Sequence, residues 1–268
     1  YPYIGLGSTS GVINKNTTDL LTSAAYTGGW DFTGVWWMFD GMTRPFLRSE
    51  MSTDIYDDHE LQLLRLSAVS FTVHRDIYIS GDKNWSMWGN VGSFLTIPAA
   101  HDVDGGGYYI HNLRMTGMET VTNNYAFIGQ AYGTVTDIHI VNASIHIPYN
   151  PQRAGGLLAY RSSHDIVRCS FEGNITMIPT NSSWSEFHVG GLVGLVYVPA
   201  SPGVNIYDSM FCGSIDAPGY VGGIVGHYLV AGAGVNMISD SYVFGNISEN
   251  SVLNKGGTAG MVAYTQLW

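Results

Sequence analysis

Three aspartates occupy the same place in successive copies of one line of sequence. Asp137, Asp208 and Asp240 each follow an aliphatic residue by two positions, and Arg168 fills that place in the remaining copy. If the copies stack at a strand spacing of about 4.8 Å, the side chains form an outward ladder. Asp208 and Asp240 would then lie near the separation of about 5 Å that a retaining glycosidase gives its nucleophile and its acid. An aspartate beside a turn also bonds its own backbone, and because the ladder belongs to the repeat itself, the corner role is favoured. Trp30, Trp36 and Trp37 stand close together in a Gly-rich stretch. They either pack a closing coil or, with two rings exposed side by side, form a sugar-stacking platform. Asp208, Asp240, Trp30 and Trp36 make up the candidate carbohydrate site.

Asparagine offers a modification chemistry. The acceptor pattern N-x-S/T occurs at Asn16, Asn84, Asn142, Asn174, Asn181 and Asn246. Asn142, Asn174 and Asn246 are expected at one outward point of successive coils, with Ser214 in the coil between, so that glycans there would stand in a row. Histidine offers less. The nine His are scattered without the pair spacing of a helix-borne zinc site, and Asp82, Asp102 and Asp104 fit no calcium-loop pattern. No metal and no cofactor is therefore read. Cys169 is expected inward and Cys212 outward, three residues further along the next coil. That adds roughly 10 Å to a pair whose Cα atoms must come within about 6.8 Å, so no disulfide is expected.

What must position these residues is a repeat. Val221 to Gly226 reads VGGIVG, and versions of it recur as NYAFIG, AGGLLA, VGGLVG and TAGMVA. The steps between Ala126, Gly156, Gly191, Gly223 and Gly260 are 30, 35, 32 and 37 residues. A drifting period of this size is what stacked coils give when insertions fall in loops. Behind each of the first four hexamers comes a second line: Val135 to Ile145, Ile166 to Ile175, Ile206 to Ile215 and Ile238 to Ile247. Its apolar residues alternate, which is the period of a strand with one buried face. Ile175, Ile215 and Ile247 are expected in one interior column. Strands with open edges must lie beside their copies, and the fold that follows is all-β: a parallel β-helix or solenoid with one or two short helices in its N-terminal part. The clearest helix starts at Asp57, with Glu60 three residues on completing a capping box and Leu61, Leu64 and Ala68 forming its apolar stripe.

These lines resemble the GLUG-motif family, named for a Gly-Leu-any-Gly core and found in tandem in large secreted and surface proteins. The likeness extends upstream. Gly29 to Phe32 with Val35-Trp36 and Gly41 to Leu47 is similar to the segment that closes such a unit. Asp76-Ile77, Asp104 to Gly106 and Ile110 to Leu113 are similar to the segment that opens the next. The resemblance implies an architecture rather than an activity. It divides the chain into a closing segment at 1–48, an opening segment with the short capping helix at 49–107, and coils at 108–268.

Composition bounds the partners. The formal charge is −10 with only 11 Lys and Arg, which speaks against nucleic acid. No run reaches the roughly 18 apolar residues of a membrane helix. The expected role is a non-enzymatic structural or adhesin-like repeat protein at the cell surface, joined to adjacent repeats or to copies of itself end to end. Tyr1, Tyr3 and Ile4 at one end and Met261, Val262, Tyr264, Leu267 and Trp268 at the other are the candidate contact residues, read as uncapped strand. The alternative is a carbohydrate-active solenoid, either a binding module or an enzyme.

Overall fold

A computed structural model describes residues 19–26, 29–38, 40–41, 44–79, 96–116, 124–147, 152–161, 163–178, 187–199, 203–230, 237–249, 258–259 and 262–267. They belong to two compact units. Tyr1–Ser49 with Lys83–Asn90 is one, and Glu50–Asp82 with Val91–Trp268 is the other.

The larger unit is a parallel β-solenoid. In a reference coil, β1 is Arg153–Gly155, β2 is Leu158–Arg161, β3 is Ile166–Val167 and β4 is Ser170–Met177. Each pairs in parallel with its counterparts above and below, giving four sheets of five, five, seven and seven strands. The hexamer is thus not one strand but the end of β1, a bend, and the start of β2. The expected interior column is present. Ile145, Ile175, Ile215 and Ile247 are in register, the first three buried and Ile247 packed against the core at the last rung.

A glycine in the bend is dictated by the opposite wall. A Cβ on Gly156 would stand 2.6 Å from two ring carbons of Phe171 and press on the carbonyl of Gly191 in the next coil. Gly191 meets Phe211 and the carbonyl of Gly223 in the same way. Phe171 and Phe211 are fully buried and stacked with centroids 6.2 Å apart. The second glycine of the hexamer and the Phe of the long strand are therefore one packing device in these two coils, while the first glycine, Gly155 or Gly190, is dictated by the carbonyl of Leu158 or Val193 across the bend.

The first copy departs in register. Asn124 pairs with Arg153 and Tyr125 with Ala154, while Ile128 pairs with Leu158. The bend of that coil is one residue shorter than expected, and Ala126 and Phe127 span what Gly155, Gly156 and Leu157 span above. Coil one also inverts the packing pair, with Phe127 in the bend and Ile140 at the position matched to Phe171.

The helix, α1, runs Asp58–Leu63 and continues as a 3-10 turn, Leu64–Leu66. Asp57 caps it by accepting from the Glu60 amide at 2.9 Å, and Glu60 reaches back one residue further than a capping box requires, to the Tyr56 amide at 2.6 Å. Leu61 and Leu64 join the core; Ala68 is exposed and forms no part of the stripe. In the smaller unit Trp36–Trp37 pairs antiparallel with Phe46–Leu47. This is a hairpin ribbon rather than a closing coil of the parallel sheets. Both Cys are free, Cys169 buried and Cys212 part-exposed.

Candidate functional surfaces

The acid ladder lies on the corner between the β3 and β4 sheets. Asp137, Arg168, Asp208 and Asp240 follow residues that are in register, and all four take left-handed backbone conformations with φ of 53°, 51°, 52° and 47°. Asp tolerates that conformation better than most residues because its short side chain bonds locally. The residue after each corner points inward, and where it is a serine it repairs the ladder; after Asp137 it is the apolar Ile138. Ser209 Oγ accepts from the Cys169 amide at 3.1 Å and donates to the Tyr207 carbonyl at 2.9 Å; Ser241 Oγ accepts from the Ser209 amide at 3.3 Å and donates to the Ser239 carbonyl at 2.8 Å. The D-S step of the repeat is thus a corner followed by its own hydrogen-bond repair. Cys169 takes the serine's place in coil two. Burial pushes its thiol up to about 12, so it stays protonated and inert.

Arg168 donates to both oxygens of Asp137, 2.7 Å each. That bond holds the Asp137 carboxyl below its usual range despite some desolvation. Asp208 and Asp240 are both exposed, whereas a glycosidase acid is held protonated by burial. Trp30 and Trp36 lie in the other unit, where their centroids are 4.4 Å apart and Tyr26 and Phe32 pack around Trp30. Trp30 is exposed and Trp36 half-buried. The four residues of the candidate carbohydrate site are therefore divided between two units. Asp102 and Asp104 cap turns, accepting from the amides of Thr134 and Gly106 at 2.8 Å each. Among the described residues no three His, Cys, Asp or Glu gather as metal ligands.

The acceptor asparagines sit on the outer face of the β4 sheet. Asn174, Ser214 and Asn246 are in register, and Ser214 Oγ donates to Asn174 Oδ1 at 2.6 Å. Asn142 does not join this row. A bulge between Ile140 and Ala143 puts Ser144 opposite Asn174, and Asn142 instead takes a left-handed φ of 53° and donates to Asn112 Oδ1 at 2.7 Å. Asn16, Asn84 and Asn181 lie outside the described residues.

One cluster was not anticipated. The first residue of each β1 strand and the residue just after each hexamer meet across the bend between the β1 and β2 sheets. Asn124, Arg153, His188 and Tyr220 form one column, and Gln130, Tyr160, Leu195 and His227 the other. The Arg153 guanidinium lies 4.5 Å over the Tyr160 ring. His188 stacks on Tyr220, and the two imidazoles approach Nδ1 to Nδ1 at 3.2 Å. Burial first, then His227 and Arg153, lowers the His188 pKa to about 3, so the ring is neutral. Aligning the flanks of the hexamers finds both columns except for Asn124, the first residue of its own hexamer, which the shorter bend of coil one brings into line; scanning for His pairs at helical spacing does not, because His188 and His227 are 39 residues apart.

No family model matches the chain, and no curated protein matches it. A crystal structure of a candidate immunoglobulin A1 protease from Bacteroides ovatus is similar at 15% identity, over 80% of this chain and 83% of that one, with a TM-score of 0.42. No helix among the described residues is long and apolar enough to cross a membrane.

Proposed function

We propose that the chain is a non-enzymatic module of an extracellular repeat protein of the GLUG-motif kind, in which the solenoid supplies length and rigidity. The observation that carries this reading is the use made of the repeat's polar residues. The corner aspartates satisfy a left-handed turn, the serines after Asp208 and Asp240 repair the sheet, and Gly156 and Gly191 admit the stacked Phe171 and Phe211. Each signature position is accounted for by stacking one coil on the next. Tyr242–Glu249 and Val262–Leu267 are the outer strands of their sheets, and such edges pair with further β-structure. Val262, Tyr264 and Leu267 belong to one of them; Tyr1, Tyr3, Ile4, Met261 and Trp268 lie outside the described residues. The partner on this reading is an adjacent repeat or a second copy. The acceptor asparagines of the β4 face would carry glycans at a cell surface.

Electron microscopy of the native material tests this: filaments, rods or a surface layer are expected. A chain of residues 1–268 that stays a soluble monomer at high concentration in ultracentrifugation, with both ends protected from hydrogen exchange, would exclude end-to-end contact. Turnover of a polysaccharide that disappears in Asp208→Asn or Asp240→Asn would overturn the non-enzymatic reading.

A further inference from the structure

The cluster at the β1 to β2 bend contains a cation that the described fold leaves unused. Arg153 is half-buried, and burial lowers its pKa. It forms no ion pair with a described carboxylate. Its Nη1 donates to Asn124 Oδ1 at 3.2 Å, one face lies on Tyr160, and Nε is buried without an acceptor. A half-buried guanidinium with no carboxylate is costly in an apolar setting. Arg161, eight residues on and fully buried, shows how the fold treats an arginine it uses structurally: three backbone carbonyls, of Ala131, His164 and Asp165, accept from it. Arg153 has no such set. Asn124 and Tyr160 touch it and Gln130 lies one rung from Tyr160, all three part-exposed, while the neutral His188 closes the strip on the next rung.

We infer that this strip is a recognition site for a carboxylate-bearing sugar, with Arg153 as the anion-binding residue. Arg153 is only half-buried, and the part of a guanidinium that reaches the surface takes a carboxylate through its N–H donors. The two amides offer donors and acceptors to sugar hydroxyls, and the tyrosine ring offers an apolar face. The chain's net charge of −10 repels polyanions at long range. The ligand is accordingly a single acidic sugar ending a neutral glycan rather than an acidic polymer. This goes beyond the scaffold role, since a scaffold needs no unpaired cation.

Titration calorimetry of the full chain with sialyllactose, against lactose, acetate and free glutamate, tests it. Binding of sialyllactose with at least a tenfold preference over the other three is expected. Arg153→Gln is expected to lose at least tenfold in affinity with its melting temperature unchanged or raised, and Asn124→Ala to lose severalfold. No detectable binding at millimolar sialyllactose refutes the site. Equal binding of acetate or glutamate refutes the sugar assignment. A melting temperature of Arg153→Gln lowered as far as that of a buried-core substitution makes Arg153 a structural residue and refutes the inference.

Discussion

Replacing Gly156 by alanine tests the packing device on which the repeat rests. The new methyl would stand 2.2 Å from the Gly191 carbonyl oxygen and 2.6 Å from two carbons of Phe171, so the backbone of the next coil must shift and the ring must retreat about 0.8 Å to reach the 3.4 Å of an ordinary contact. Phe171 has little room to do so, because it is fully buried and stacked on Phe211. Overpacking of this kind costs about 1–3 kcal/mol. Gly156 does not have a positive φ, so alanine carries no backbone strain and gains about 0.4–1 kcal/mol through the unfolded chain. The net loss is about 1.5 kcal/mol, a fall of roughly 3–6 °C in melting temperature for a unit of this size. Urea unfolding followed by circular dichroism reads it. Coil one shows the remedy, since it carries its ring in the bend as Phe127 and has Ile140 where coil two has Phe171. Phe171→Ile alone should cost about 1–2 kcal/mol as a large-to-small core change. The double mutant should recover about 1 kcal/mol of the summed losses. A neutral Gly156→Ala, or losses that simply add, would show that the glycine is not there for the ring.

Three further substitutions probe other levels of the fold. Ile215→Asp places an unpaired carboxylate at a fully buried position between Ile175 and Ile247; a loss of about 3 kcal/mol or more is expected, read as melting of the neighbouring coils by circular dichroism. Asp208→Asn should change stability by less than about 0.5 kcal/mol, whereas Asp208→Val should cost about 1–2 kcal/mol, because a β-branched residue resists the left-handed corner; chemical denaturation distinguishes them. His188 titrates near 3 in the folded chain and near 6.5 when unfolded, so the unfolded chain binds the proton first. Its stabilisation is complete above about pH 6.5 and is lost on acidification towards pH 3, at about 1.4 kcal/mol per pH unit. His188→Gln should flatten that part of a stability-against-pH curve.

The solenoid was legible because its inward residues repeat in type as well as in spacing. Ile175, Ile215 and Ile247 align without a gap, and the structure puts them in one column. Single-residue changes in turns were not legible, since an apolar pattern slides across them unnoticed. Coil one loses a residue in its bend and carries a bulge in its long strand. The first slip misplaces Ala126 against Gly156, and the second takes Asn142 out of the asparagine row.

The harder failure concerns parity. Period two assigns a charged residue to the outside, yet Arg161 is fully buried, in register with Ala131, Val196 and Tyr228. It is inside because the link to β3 turns its carbonyls inward, and only a long side chain with several donors can reach them. Tyr228 does similar work two column members later, donating to the Val204 carbonyl. Arg153 breaks the rule in the opposite sense. It points outward, but the bend brings β1 and β2 so close that the outside of one strand faces the outside of the next, as the contact with Tyr160 shows. A re-entrant corner therefore brings outward residues of two strands into contact, although each looks like an ordinary surface position. On a scaffold whose sheet faces are committed to stacking, that corner is where the sequence can vary side chains without disturbing the core. The physical case for recognition rests on Arg153 rather than on the aspartate ladder for this reason: the ladder's positions are set by a left-handed corner that recurs from coil to coil, whereas Arg153 meets no carboxylate among the described residues.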